Sequence, residues 1–214
     1  VGGDFNASGA GSPMLHVARW DGSDWVAVGA GRTRNVLSLF AWDSDGDGPQ
    51  PPVLAAGEQA VIFVGASVAM WTGTQWQDLG TTDHHTWAFA AWDPDGVGPA
   101  PSQLVAAGAF NSIGGSTAPR VARWNGVQWL PLKSGAVESR AFALLSWNPE
   151  GSGPVPPQLI VGGDFMSAGG LPSAQIARWG CPGPPPCRPD LTTSALPSHP
   201  GYGVPDGTVN EEDF

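Results

Sequence analysis

Short apolar stretches of five to eight residues recur along this chain, separated by turns rich in glycine, proline and aspartate, and the stretches come in a fixed order. Val17-Ala18-Arg19-Trp20 returns as Val68-Ala69-Met70-Trp71, as Val121-Ala122-Arg123-Trp124 and as Ile176-Ala177-Arg178-Trp179, its tryptophans 51, 53 and 55 residues apart. One unit, from Gly108 to Gly162, reads as four strands. The end of Gln103–Phe110 leads through a turn at Asn111–Thr117 to Arg120–Trp124. Asn125-Gly126 then predicts a tight two-residue hairpin into Gln128–Leu132, and Ser139–Trp147 follows. A proline-rich turn, Gly153-Pro-Val-Pro-Pro157, stops the last strand and opens the next unit. Small and large side chains mix within the strands, as expected where both faces of a sheet are covered.

Four short strands per repeat of this length is the arithmetic of propeller blades. The fold class predicted is all-β: a partial β-propeller, or an open stack of four-stranded blades, with about three full repeats plus partial ones. A single blade cannot bury both faces, so the recurrent tryptophans are read as packing between blades, each able to bury roughly 150–250 Å². Val1-Gly-Gly-Asp-Phe5 matches Val161-Gly-Gly-Asp-Phe165, so the repeat pattern begins part-way through a unit. Uncovered end blades are expected to self-associate if the ring is incomplete. The pattern breaks after Trp179. Residues 1–180 are therefore read as the repeat domain, and 181–214 as a proline-rich linker and tail.

Composition narrows the function classes. Nine Lys and Arg against 19 Asp and Glu give a formal charge of −10, which opposes binding to a nucleic-acid backbone. No stretch of 18 apolar residues is present, so no membrane span is expected. Gly 31 and Pro 22 leave few windows for a long helix. The two cysteines, Cys181 and Cys187, are close enough for a disulfide, which would favour an oxidising compartment; free thiols or a metal are the alternatives.

Two segments carry candidate cation chemistry. Asp43-Ser-Asp45-Gly-Asp47-Gly48 is the first half of a calcium loop: three carboxylates at alternate positions that can converge on a hard cation, with glycine allowing the tight turn. The competing reading is a turn alone, because the equivalent Asp93-Pro-Asp95-Gly-Val97 and Asn148-Pro-Glu150-Gly-Ser152 lose ligands. In the tail, Asp206, Asn210 and Asp213 fall at calcium-loop spacing, and Asp190 would supply a first ligand if the residues between were an insertion.

His84-His85 is the one histidine pair, and a surface turn is favoured over metal binding or catalysis. No serine elbow or glycosidic carboxylate pair has partners at a defined spacing.

The units Val161-Gly-Gly-Asp-Phe165 with Ile176–Trp179, and Val121-Ala-Arg-Trp-Asn-Gly126 with Trp129, resemble repeats of secreted propeller-like proteins of planctomycete-type bacteria. The tail around Asp190 and Asp206 resembles the dockerin-like ends such proteins carry. The second unit departs, with Gly57-Glu58 and with Met70 in place of arginine. The resemblance implies an extracellular or cell-surface protein and brings no catalytic residue with it. The functional expectation is a non-enzymatic scaffold or binding module with protein or glycan partners. A carbohydrate-binding propeller is the alternative, and part of a polysaccharide-active enzyme the weaker one. Calcium is the candidate cofactor.

Overall fold

A computed structural model describes residues 1–9, 11–46, 48–61, 64–96, 100–132, 137–148 and 156–180. The chain is all-β, built from open antiparallel sheets of two to six strands. Sheet I holds β1 (Ala18–Trp20) and β2 (Trp25–Ala27), with Gly2 bridged to Val17 beside them. Sheet II holds β3 (Val36–Trp42), β4 (Val53–Glu58), β5 (Ala66–Trp71) and β6 (Trp76–Thr82). Sheet III begins with β7 (Thr86–Trp92) and β8 (Gln103–Gly108). A small hairpin of β9 (Ser112–Ile113) and β10 (Ser116–Thr117) then leaves the sheet. The chain returns to sheet III in β11 (Val121–Trp124) and β12 (Trp129–Pro131). Sheet IV repeats the scheme with β13 (Ala141–Trp147) and β14 (Gln158–Gly163). Its hairpin is β15 (Ser167–Ala168) and β16 (Leu171–Pro172), and its last described strand is β17 (Ile176–Trp179).

Three sequence expectations are corrected. First, the last strand of each sequence repeat does not pair with the strands before it. Ser139–Trp147 contains β13, which pairs with β14 across the proline-rich turn and so opens the next sheet. Each sheet therefore takes its first strand from one sequence repeat and the rest from the next. Second, Asn111–Thr117 is the β9–β10 hairpin rather than a plain turn, and Thr82 pairs with Ile113, which attaches the hairpin to the edge of sheet II. An isolated Val137–Ala168 bridge ties the β15–β16 hairpin to the segment that follows sheet III. Third, Asn125-Gly126 is not a two-residue turn. Trp124 pairs with Trp129, leaving four loop residues, and the Asn125 side chain accepts the amides of Val127 and Gln128 at 3.0 and 2.9 Å. Asp21 does the same work between Trp20 and Trp25.

Two cores lie between adjacent sheets. Along β8 the side chains alternate. Leu104 and Ala106 join a cluster with Trp42, Ala55 and Val68 of sheet II, whereas Val105 and Ala107 join one with Leu159, Val161 and Ala177 of sheet IV. This is the period-2 alternation of a strand whose two faces are both covered. The second tryptophan of each unit ties a sheet to the one before: Trp76 Nε1 donates to the Val28 carbonyl at 3.0 Å, and Trp129 Nε1 to the Leu79 carbonyl at 3.1 Å. The first strands β3, β7 and β13 lie side by side in succession.

Just before β11 the chain makes a tight three-residue reversal. Val121 N donates to the Pro119 carbonyl at 2.8 Å across Arg120, whose φ is 67°. His16 makes the same reversal at φ 63°, and Gln175 shares the left-handed conformation at φ 68°. In all three copies the amide of this residue donates to the carbonyl of a phenylalanine, Phe5, Phe110 or Phe165, at 2.8–2.9 Å. Its own carbonyl accepts from Gly3, Gly108 or Gly163 at 2.9–3.0 Å. Glycine is required at 108 and 163 for contact reasons: a Cβ there would lie 2.0 Å from the carbonyl oxygen of His85 or Arg140.

Candidate binding cleft

An open cleft of about 520 Å³ lies where β7 and β13 begin, lined chiefly by His84, His85, Trp87, Asn111, Arg120 and Arg140. The residues come from two successive repeats because the turns before β7 and β13 meet the hairpin stem that follows β8. A second recess, between sheets III and IV at Leu132 and Val161, is apolar and holds about 10 Å³, the volume of roughly one water.

Carboxylates fix the framework around the cleft. Asp83 Oδ1 accepts the amides of Asn111 and Ser112 at 2.8 and 3.0 Å, and Oδ2 accepts Asn111 Nδ2 at 3.3 Å. Burial alone would raise the Asp83 pKa, but these hydrogen bonds outweigh it and hold the acid below its ordinary value of 3.8. Glu138 occupies the same place one repeat later. It accepts from the amide of Met166 and, at 2.6 Å, from that of Ser167, and its bonds from Ser167 and Met166 lower its pKa in turn. Each acid thus fastens the hairpin of the following repeat to the preceding sheet.

The histidines sit in the turn ahead of β7, where the chain bends their rings edge to face at 4.4 Å instead of pointing them to opposite sides. His85 Nδ1 accepts the Ala60 amide at 2.8 Å, so its neutral form carries the proton on Nε2. Burial, and then the neighbouring His84, lower its pKa below 6.5. Trp87 stands 5.5 Å from the His85 ring and 4.8 Å from Phe142, forming an aromatic wall. Arg140 lies 5.9 Å above the Phe142 ring and pairs with Asp164 at 2.7 Å. Burial would raise Asp164, but bonds from Ser139 and Arg140, together with the Arg140 charge, bring it below 3.8. Arg120 differs: its Nη1 donates to the carbonyls of Ala109 and Phe110, while its Nε is buried without a hydrogen-bond partner.

The acidic turns expected from sequence follow the far ends of β3 and β7, the latter about 20 Å from the cleft for a seven-residue strand. Asp43 Oδ1 accepts the Asp45 amide at 3.2 Å, and Asp45 Oδ2 accepts the Gln50 amide at 3.0 Å. Asp93 and Asp95 make the same two bonds, to Asp95 N at 3.2 Å and to Ala100 N at 3.1 Å, although Val97 replaces the third carboxylate. One oxygen of each acid is therefore used to shape the turn. Asp47, Asp190, Asp206, Asn210 and Asp213 lie outside the described residues, as do Cys181 and Cys187. Among the described residues no three His, Cys, Asp or Glu side chains converge as a metal site.

Sequence reasoning found the histidine pair but not Arg120, Arg140, Trp87 or Asn111. They are scattered over two repeats, and no local motif joins them. The usable signal was a contrast: Arg120 stands where the other copies hold His16 and Gln175.

The departure of the second unit also has a physical account. Glu58 takes the place of Gly108 and Gly163 and accepts Arg32 Nε at 2.7 Å in a buried ion pair. Its other oxygen accepts the Ser67 amide at 3.2 Å, and Arg32 reaches on to Asp78 at 2.7 Å.

Among known families, a model described as a domain of unknown function (DUF5122) beta-propeller matches residues 103–126, which span β8, the β9–β10 hairpin and β11. The match agrees with the blade-like sheets. No curated protein and no solved structure matches the chain. Among the described residues, no helix is long and apolar enough to cross a membrane.

Proposed function

We propose that this chain is a non-enzymatic scaffold and binding module that works outside the cell or at its surface. The observation that carries the reading is the division of labour among its polar groups. Asp21, Asp83 and Glu138 close hairpins, and Arg32 with Glu58 joins sheets I and II. The cleft at His84, Trp87, Arg120 and Arg140 is where side chains that differ from repeat to repeat converge. A surface built this way suits recognition on a repetitive frame. Extracellular placement is supported by the resemblance to secreted repeat proteins. Calcium enters as a stabiliser of the Asp43–Asp47 turn, held by the carboxylate oxygens not used in the turn. The open faces of sheets I and IV, with Trp20, Trp25 and Trp147 exposed, support association with further blades or a second copy.

A carbohydrate-binding role is the second reading, favoured by the aromatic surface of Trp87 and His85 beside polar donors in the cleft, with Phe142 packed behind Trp87. The test is incubation with a broad panel of polysaccharides, following both co-sedimentation and the release of reducing ends or unsaturated products. Retention of the protein without product is expected. Product formation that disappears on changing a cleft residue would overturn the non-enzymatic reading.

A further inference from the structure

We infer that the cleft recognises a single carboxylate-bearing sugar, a hexuronate unit within an otherwise neutral glycan. The inference rests on the reading of this cleft as a binding face. Four observations lead there.

The first is the state of Arg120. Among the described residues Arg32 pairs with two carboxylates and Arg140 with one, whereas no carboxylate lies within ion-pair distance of Arg120. Two backbone carbonyls hold its Nη1, which fixes the plane of the guanidinium, and its Nε is buried without a partner. That leaves Nη2, neither buried nor bonded to the protein, as the charged donor on the cleft side, and a carboxylate is the acceptor that a guanidinium N–H binds most strongly.

The second is that the fold does not ask for arginine here. His16 and Gln175 hold the same left-handed backbone and the same pair of main-chain hydrogen bonds. The charge at position 120 is therefore additional to what the reversal needs.

The third is the wall. Trp87, backed by Phe142 at 4.8 Å, and His85 supply aromatic surface for the apolar face of a sugar ring, and Asn111 and Ser139 supply groups for hydroxyls. A volume of about 520 Å³ falls within the range of small-ligand sites.

The fourth is the overall charge of −10, which repels a densely charged polymer and leaves an isolated acidic unit as the fitting partner.

The test is titration calorimetry of the whole chain with three probes: a xylo-oligosaccharide carrying one glucuronate branch, the unbranched neutral oligosaccharide of the same length, and free glucuronate. Arg120→Gln serves as the variant, because Gln175 already occupies the equivalent backbone. The branched probe is expected to bind about ten-fold more tightly than the neutral one, and Arg120→Gln to remove that difference while the variant, with a slightly lower melting temperature from the two lost carbonyl bonds, still unfolds cooperatively and binds the neutral probe as before. Added sodium chloride should weaken the branched probe selectively. Equal binding of branched and neutral probes overturns carboxylate recognition and leaves glycan binding standing. Tighter binding of free glucuronate than of the branched probe overturns the glycan as the source of the carboxylate. No binding by any probe overturns the inference itself, while the non-enzymatic reading is judged separately by product release.

Discussion

Trp92 and Trp147 close their strands at equivalent positions, yet Trp92 is 3% exposed and Trp147 is 46% exposed. Sheet IV covers Trp92, and its indole donates to the Pro157 carbonyl at 3.0 Å. The face that carries Trp147 has no described sheet over it. The same holds at the other end: Trp129 is 1% exposed between sheets II and III, while its equivalent Trp25 is 39% exposed and leans edge to face on Trp20 at 5.4 Å. Equal residues in equal local structure thus take different energetic roles. Burial here is a property of the junction between sheets and not of the repeat.

The widest gap should appear on truncating the paired tryptophans. Trp129→Ala removes a buried ring and its hydrogen bond and is expected to cost about 3–5 kcal/mol, whereas Trp25→Ala should cost about 1 kcal/mol. Urea denaturation of the two variants measures both. Equal losses would mean that the exposed end is covered in solution, and a concentration-dependent loss for Trp25→Ala would identify a second copy as the cover.

Sheet II sharpens the comparison, because it replaces a glycine of sheets III and IV with Glu58. Arg32→Met leaves Glu58 buried without its cation and should cost about 3 kcal/mol. The link to Asp78, whose carboxylate is largely exposed, contributes little. Adding Glu58→Gln to Arg32→Met should restore part of the loss, and a double-mutant cycle reads the coupling. Full additivity of the two changes would show the pair to be energetically idle.

Acid separates the hairpin ties from the cores. Asp83, Glu138 and Asp164 have folded pKa values below their ordinary ones. Their stabilisation is present above the unfolded values, near pH 4, and is lost as pH falls through the folded values. His85 has the same sign at a higher window: its neutral form is favoured in the fold, so stability begins to decline as pH drops below 6.5. Thermal melts from pH 8 downward should show a shallow step from His85 and then a larger decline below about pH 4. Asp83→Asn should flatten the acid limb, and an unchanged limb would remove Asp83 from this role.

The smallest effect compares the first two acidic turns. Calcium should raise the melting temperature slightly through Asp43, Asp45 and Asp47, and Asp43→Asn with Asp45→Asn should abolish the rise. Changing Asp93 and Asp95 together should leave it intact. No calcium-dependent rise in the unchanged protein would end the proposal for this turn.

Much of the architecture was legible because its signals are local. Alternation along Gln103–Gly108, proline stops and the Trp-to-Trp spacing specify strands and their order without reference to anything distant. The tight-turn reading of Asn125-Gly126 failed because the side chain of Asn125 closes a wider loop, and a dipeptide pattern does not distinguish the two. That the last strand of each sequence repeat opens the next sheet was missed for a related reason: a periodic sequence fixes the period but not where one period begins. The cleft was least legible, since Asp83, Asn111, Arg120 and Arg140 meet only after two repeats dock.

The sequence by itself determined that this chain is a repeating all-β array with strongly punctuated strands, a net negative charge and tryptophans set for packing. Those properties follow from residue type and spacing. Only the tertiary structure decided which tryptophans are covered, that Glu58 meets Arg32, and that Arg120 holds a fixed guanidinium beside an aromatic wall. Each of these depends on contacts between residues tens of positions apart, and such contacts come into being only when one sheet is laid against the next.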